Sequence, residues 1–325
     1  MDWTLVTENL LSPPVLFFAL GLGAHLSGSD LEMPGPLARA LSIYLLFSIG
    51  MHGGAELRAS GLAIDELKPL MAGMVASALL PLATFQILRR KLSVPDAAAV
   101  AATYGSISAV TFITACSFLD DRGVAWSGNM VAAMALMESP AILVGVLLFR
   151  RFGSGNGTRN APLGALVREA LVNGPVFLLL GSLAIGLTAG SKGWESVSGF
   201  AHEPFKGALC LFLLDMGIQA ARRLSSLRAA GPLVLGFALL APLVQGSLAI
   251  LVAQVFQFEP GNALLFAVLC ASGSYIAVPA AMRTAVPQAN PSLYLPMSLG
   301  LTFPLNVGLG IPLFMTLIDQ LWGTA

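Results

Sequence analysis

Polar residues able to do chemistry are few in this chain, and those that fall inside apolar stretches form two matching sets. The first is Tyr104-Gly105-Ser106-Ile107-Ser108-Ala109-Val110-Thr111, and the second is Ser272-Gly273-Ser274-Tyr275-Ile276-Ala277-Val278-Pro279. Small hydroxyl residues beside Gly, with Pro following in one set, are poor material for a continuous helix. They suit a helix interrupted at mid-membrane, where irregular backbone is tolerated only in a cavity or inside protein. Two half-helices whose N-termini meet would aim unpaired N–H groups and positive dipole ends at one point, which is an anion site. Gly and Ser at this spacing also let helices pack closely without binding anything. Their occurrence at matching places in the chain favours a site. On this reading Gly105, Ser106, Ser108, Gly273 and Ser274 hold the anion, and Tyr275 adds a phenolic donor.

Two acids also stand within apolar stretches, Glu138 in Met137-Glu138-Ser139-Pro140 and Asp215 in Leu214-Asp215-Met216-Gly217. A carboxylate in hydrocarbon is costly and marks a functional position by default. Pro140 would free backbone carbonyls upstream. A carboxylate, a hydroxyl and carbonyls together are the oxygen ligands that a hard cation such as Na⁺ requires. The expected cation set is Glu138 with Thr111, and with Thr302 and Asn306 of Thr302-Phe303-Pro304-Leu305-Asn306. Asp215 is open to two readings, a functional acid or one paired with a neighbouring span or subunit. His25 and His52 lie near the ends of apolar stretches, where an interfacial place is the simpler account. Gly50-x-x-x-Gly54 offers a close-packing face. Metalloprotease, nucleophile-elbow, Walker and dinucleotide-binding motifs are absent, so an enzyme is not expected. Without a nucleotide site, any uphill transport draws on an ion gradient, and no resident cofactor is expected.

The elements that must position these residues are membrane helices. Hydrophobic residues make up 56% of the 325-residue chain and charged ones 10%, against about 25% charged in a soluble domain. Apolar stretches near the roughly 20 residues needed to cross a bilayer recur throughout. They lie at 11–27, 36–52, 68–88, 97–118, 128–149, 170–189, 205–221, 231–256, 261–282 and 293–320. Met1 to Glu8 carries acids and no Lys or Arg, unlike a signal peptide, so the first stretch reads as a retained span. Cys116, Cys210 and Cys270 are scattered in apolar surroundings and read as packing residues.

These ten stretches repeat. Pro14-Val15-Leu16-Phe17 returns as Pro175-Val176-Phe177-Leu178, and Leu45-Leu46-Phe47-Ser48-Ile49-Gly50 as Phe212-Leu213-Leu214-Asp215-Met216-Gly217. Pro81 returns as Pro242, Gly105-Ser106 as Gly273-Ser274, and Pro140 as Pro304, with spacings from 161 to 168 residues. The reading is an all-α polytopic membrane protein of about ten transmembrane helices in two five-helix repeats. The first repeat is 1–152, a Gly/Ser/Asn-rich linker is 153–163, and the second repeat is 164–325. An odd number of spans per repeat forces the halves into opposite orientations, so the repeat is inverted. Loops after odd-numbered spans hold 12 of the 17 Lys and Arg residues, Arg89, Arg90, Lys91, Arg150, Arg151 and Arg159 among them. The positive-inside rule then puts the linker in the cytoplasm and both termini on the opposite side.

With these residues in view the chain resembles the SbtA-type sodium-dependent bicarbonate transporter family of bacterial permeases. The resemblance runs from about Leu11 to Leu317 and is carried by Met51-His52-Gly53-Gly54, the Gly105 to Thr111 segment and Glu138-Ser139-Pro140-Ala141. Ala289-Asn290-Pro291-Ser292-Leu293-Tyr294 and Gly308-Leu309-Gly310-Ile311-Pro312-Leu313-Phe314 match as well. The resemblance implies a core domain and a gate domain, a homotrimer in the bacterial inner membrane, and bicarbonate moved with Na⁺ by an elevator-like displacement of the core. It also brings a PII-like regulatory partner. The chain departs from cyanobacterial members at Tyr275, where they carry Asp, and at Ala277, where they carry Ser. Glu138 stands for their Asp, Ala109 and Val110 for Gly and Ser, and the linker is shorter. The expected function is Na⁺-coupled symport of a small anion, bicarbonate foremost. Proton-coupled or uncoupled carriage of another small organic anion, and a non-transporting membrane sensor on the same fold, remain open from the residues.

Overall fold

The apolar stretches form helices, and every regular element among the described residues is helical. The structure is a computed structural model describing residues 3–61, 64–153, 168, 174–227 and 231–323. The expected linker therefore lies almost wholly outside the described residues, as do Arg159 and the start of the sixth expected span. The helices are α1 (Trp3–Leu10), α2 (Pro13–Leu26), α3 (Gly35–Ser60), α4 (Ile64–Leu88), α5 (Val94–Gly105), α6 (Ala109–Asp121) and α7 (Asn129–Phe152). After the linker come α8 (Gly174–Ala201), α9 (Phe205–Leu227), α10 (Pro232–Val255), α11 (Pro260–Cys270), α12 (Ala277–Ala285) and α13 (Pro291–Trp322). Helices α2, α3, α5, α10, α11 and α13 carry Pro at their first or second position, where its missing N–H would be unpaired in any case.

Among the described residues seven helical stretches are long and apolar enough to cross a membrane, with α5 and α6 counted together. The number is eight if α1 and α2, which meet at a 60° bend, form one span. Helix α9 and the broken pair α11–α12 are not in that set. Several elements outrun their expected ends. Helix α3 continues to Ser60, past the expected stop at 52, and α8 continues to Ala201 across a kink at Gly190, where φ is 65°. Inside α13 the backbone widens to π geometry at Pro296–Thr302 and again at Asn306–Gly310.

Packing inverts the pattern of a soluble protein. Leu79, Leu82, Leu240, Val244, Leu248 and Val255 are exposed on the outer faces of α4 and α10, as lipid-facing helices require. The α5–α6 stretch is the most buried of the seven, with 94% of the residues in its apolar 18-residue window buried. Helix α3 runs along α8, and α2 along α9, in the two most extensive helix pairings. Both crossings depend on glycine. A Cβ at Gly54 would overlap the backbone of Leu183, Gly186 and Leu187, and one at Gly217 would overlap that of Phe18, Gly21 and Leu22. Gly50 also faces α8, with a Cβ only 2.6 Å from Ser182 Cβ, so Gly50-x-x-x-Gly54 is the close-packing face expected of it. Helices α4, α5 and α7 pack together, as do α10 and α11.

Candidate functional site

The helical backbone is broken at both places where the hydroxyl-glycine sets lie. Helix α5 ends at Gly105, where a Cβ would overlap the Pro81 ring of α4. The chain then extends through Ser106 (φ −95°, ψ −179°) to Ser108 (φ −112°, ψ 107°), and α6 starts. Ser108 caps α6: its Oγ accepts from Thr111 N–H at 3.2 Å and from Thr111 Oγ1–H at 2.8 Å. In the second half α11 stops at Cys270 and α12 starts at Ala277. There Ser274 Oγ accepts from the N–H of Val278 at 3.3 Å.

The two breaks are stitched to each other. Ser274 N–H donates to the Thr103 carbonyl at 2.9 Å, and Ser108 N–H donates to Ser272 Oγ at 2.9 Å. Backbone groups freed by the interruptions are thus satisfied inside protein, as the low-dielectric interior demands. The result is that the N-termini of α6 and α12 start beside one cavity.

That cavity, of about 40 Å³, is lined by Ser108, Ser274, Tyr275 and Glu138 among the polar residues, and by Leu46, Ile107, Met134, Val176 and Leu179 among the apolar ones. Ser108 Oγ–H donates to the Tyr275 hydroxyl at 3.4 Å, and the Tyr275 ring stands edge-on to Phe303 with centroids 5.7 Å apart. Glu138, on α7, is 8% exposed. Among the described residues no Lys or Arg lines the cavity, so the two helix N-termini, equivalent to roughly half a charge each, are what could offset an anion there.

The remaining expected residues lie around this cavity without lining it. Gly105 serves the approach to Pro81, and Gly273 sits where a Cβ would be 3.2 Å from Ser298 Cβ. Ser106 Oγ is buried without a hydrogen-bond partner among the described residues. Thr111 stands behind Ser108 as its partner. Of the expected cation set, Thr302 and Asn306 are tied elsewhere. Thr302 shares a 2.7 Å hydrogen bond with the Tyr104 hydroxyl and donates to the Ala238 carbonyl at 2.8 Å. Asn306 Nδ2 donates to the Ala271 carbonyl at 2.8 Å, while its Oδ1 is buried and has no partner among the described residues. The carbonyls expected to be freed by Pro140 are partly claimed as well, since Met137 O accepts from Ser77 Oγ of α4.

Asp215 is buried and bonded to Gln219 on its own helix, away from the cavity. His52 is not at a helix end: it lies within α3, its ring 4.9 Å from that of Trp194 and 5.5 Å from that of Trp126. Cys116, Cys210 and Cys270 are free and buried. Sequence reasoning missed Ser272 as the stitch between the breaks. It also missed Asn9, whose Nδ2 donates to the Val307 and Gly308 carbonyls at 2.8 and 3.0 Å. The apolar walls Leu46, Val176 and Leu179 were visible only as landmarks of the repeat.

A family model described as the Na⁺-dependent bicarbonate transporter superfamily matches residues 13–319, from the start of α2 to the last turn of α13. Comparison with individual curated proteins gives no match. The family is one of transporters and not of enzymes. With nearly its whole length matched, the chain belongs to the Na⁺-dependent bicarbonate transporter superfamily.

Proposed function

We propose that this protein carries bicarbonate inward with Na⁺, binding both in the cavity between the two broken spans. The observation that carries the proposal is the meeting there of two helix N-termini, the hydroxyls of Ser108, Ser274 and Tyr275, and the Glu138 carboxylate. The helix ends and the hydroxyls of Ser274 and Tyr275 suit an anion, and the carboxylate suits the cation. Each ion offsets the desolvation of the other, so neither binds well alone. Cavity size selects among anions. At about 10–15 Å³ per water, a space of about 40 Å³ takes roughly three waters, or a planar anion of about four heavy atoms.

The architecture in this reading is ten spans in two inverted repeats, with α1–α2, α9 and α11–α12 completing the set. The glycine crossings support it. Gly21, packed on Gly217, corresponds to Ser182, packed on Gly50, by the same 161-residue offset that relates Pro14 to Pro175. The first two helices of each half thus embrace each other in the same way. Helices α2, α3, α8 and α9 form the gate, and α4 to α7 with α10 to α13 form the core. The cavity walls come from both, Leu46, Val176 and Leu179 from the gate and Ser108, Glu138 and Tyr275 from the core. Sliding the core along the gate would exchange one wall and leave the other intact, which is an elevator-like step. Assembly as a trimer in the bacterial inner membrane, a cytoplasmic linker and a PII-like regulator belong to the same proposal.

The test is uptake of radiolabelled bicarbonate into proteoliposomes with and without an inward Na⁺ gradient. Uptake requiring Na⁺, with the requirement abolished by Glu138→Gln, is the expected result; gradient-independent uptake that Glu138→Gln leaves unchanged refutes it. A second reading, proton coupling at Glu138, is favoured by the apolar neighbours Met134, Val176 and Leu179. It predicts uptake driven by a pH gradient in the absence of Na⁺.

A further inference from the structure

The cavity sets donors and one acceptor around the same small space, and the atoms that remain free decide what it can hold. Ser108 Oγ accepts twice from Thr111 and gives its own proton to Tyr275. The phenolic oxygen of Tyr275 therefore accepts one bond, and its own O–H remains to be donated elsewhere. Ser274 Oγ accepts from the N–H of Val278 and likewise keeps its proton. Both residues line the cavity, which leaves two O–H groups available to an anion there. Glu138 lines the same space and makes no hydrogen bond or ion pair among the described residues. An ionised carboxylate can only accept.

Two donors opposite one acceptor match an oxyanion that carries its own proton. Resting on the reading of this cavity as the transport site, we infer that Glu138 accepts the O–H of the substrate while Ser274 and Tyr275 donate to its bare oxygens. Glu138 is then the specificity-determining residue that admits a hydrogen-bearing oxyanion and turns away an aprotic one. Bicarbonate presents such an O–H. Nitrate and formate, of similar size, present only acceptors and would set a lone pair against the carboxylate. Sites built to pair a substrate hydroxyl reject analogues that lack it by as much as about 10⁴-fold. A single such contact, opposed by donors that serve every anion alike, is expected to give roughly 100-fold. A carboxylate offers about four lone-pair positions, so the coupling cation can share it.

The experiment is binding to the purified full-length protein, read as thermal stabilisation in sodium gluconate at fixed Na⁺ and pH. Bicarbonate, formate and nitrate are the probes, for wild type, Glu138→Gln and Glu138→Asp. Wild type is expected to bind bicarbonate about 100-fold more tightly than formate or nitrate. Glu138→Asp keeps most of that gap. Glu138→Gln, which can donate as well as accept, narrows it below about tenfold. Because the readout is a ratio at one Na⁺ concentration, any loss of cation binding common to all probes cancels. Wild type binding formate as well as bicarbonate overturns the inference and leaves the site reading standing, and so does Glu138→Gln retaining the full gap. Failure of bicarbonate to stabilise the wild type at all overturns both. Should Glu138→Gln not fold, wild type and Glu138→Asp still decide, since equal binding of the three anions by either defeats the assignment.

Discussion

Ser108 is the residue on which the geometry of the cavity turns, and its replacement by Ala gives the sharpest test of how the broken span is held. The side chain does three things at once: it caps α6, it receives the Thr111 hydroxyl, and it donates to Tyr275. Removing an N-cap hydroxyl costs about 0.5–2 kcal/mol. Thr111 is fully buried, and leaving its hydroxyl without an acceptor costs a further 1–3 kcal/mol or so. Rotation of that hydroxyl back onto the carbonyl one turn earlier recovers part of this, as threonine in a helix commonly does. The net expectation for Ser108→Ala is therefore about 1–4 kcal/mol, against less than about 1 kcal/mol for Ser108→Thr, which keeps the capping oxygen. The assay is the unfolding midpoint in mixed SDS and dodecylmaltoside micelles, with bicarbonate affinity measured on the same preparations. Ser108→Ala should unfold earlier than Ser108→Thr and bind the anion about 10–100-fold more weakly, the equivalent of about 1.4–2.8 kcal/mol. If the two variants are indistinguishable in both measurements, the cap does not hold the site and the account of α6 is wrong.

The helix crossings make a second prediction. Gly54→Leu drives a side chain into the backbone of α8, which cannot yield, and should abolish folded protein on size-exclusion chromatography. Gly207→Ala meets nothing within 4 Å and should be neutral or stabilising by up to about 1 kcal/mol; the same elution profile for both variants would refute the crossing. A third concerns Asn9, which supplies both hydrogen bonds to the widened turn at Val307 and Gly308. Asn9→Ala should cost about 1–3 kcal/mol and speed amide exchange across Asn306 to Gly310. Unchanged exchange there would show that the turn holds itself.

What could be read from residue order, and what could not, divides on whether packing or composition decides. The breaks after Gly105 and Cys270 were legible because Gly, Ser and Pro weaken a helix wherever they cluster, and a lone Glu138 in hydrocarbon declares itself by cost alone. The end of α3 was not legible. Gly53, Gly54, Glu56 and Arg58 lower the hydropathy after residue 52, yet the helix runs on to Ser60. Its length is set by Gly54 seating against α8 and by Gly53, where a Cβ would come within 2.6 Å of Val131 on α7.

Thr302 and Asn306 illustrate the deeper limit. In sequence they are a hydroxyl and an amide beside Pro304, the same kind of signal as Ser108 and Glu138. In the fold Thr302 answers Tyr104 and Ala238, and Asn306 answers Ala271, so they join α13 to its neighbours and lie outside the cavity lining. A buried polar residue must find partners, and only the three-dimensional count of donors and acceptors shows whether those partners are protein or ligand. By that count Tyr275 and Ser274 have protons left over and Glu138 has lone pairs left over, all facing one small space. That imbalance, invisible in the order of residues, is the ground on which the binding site is proposed.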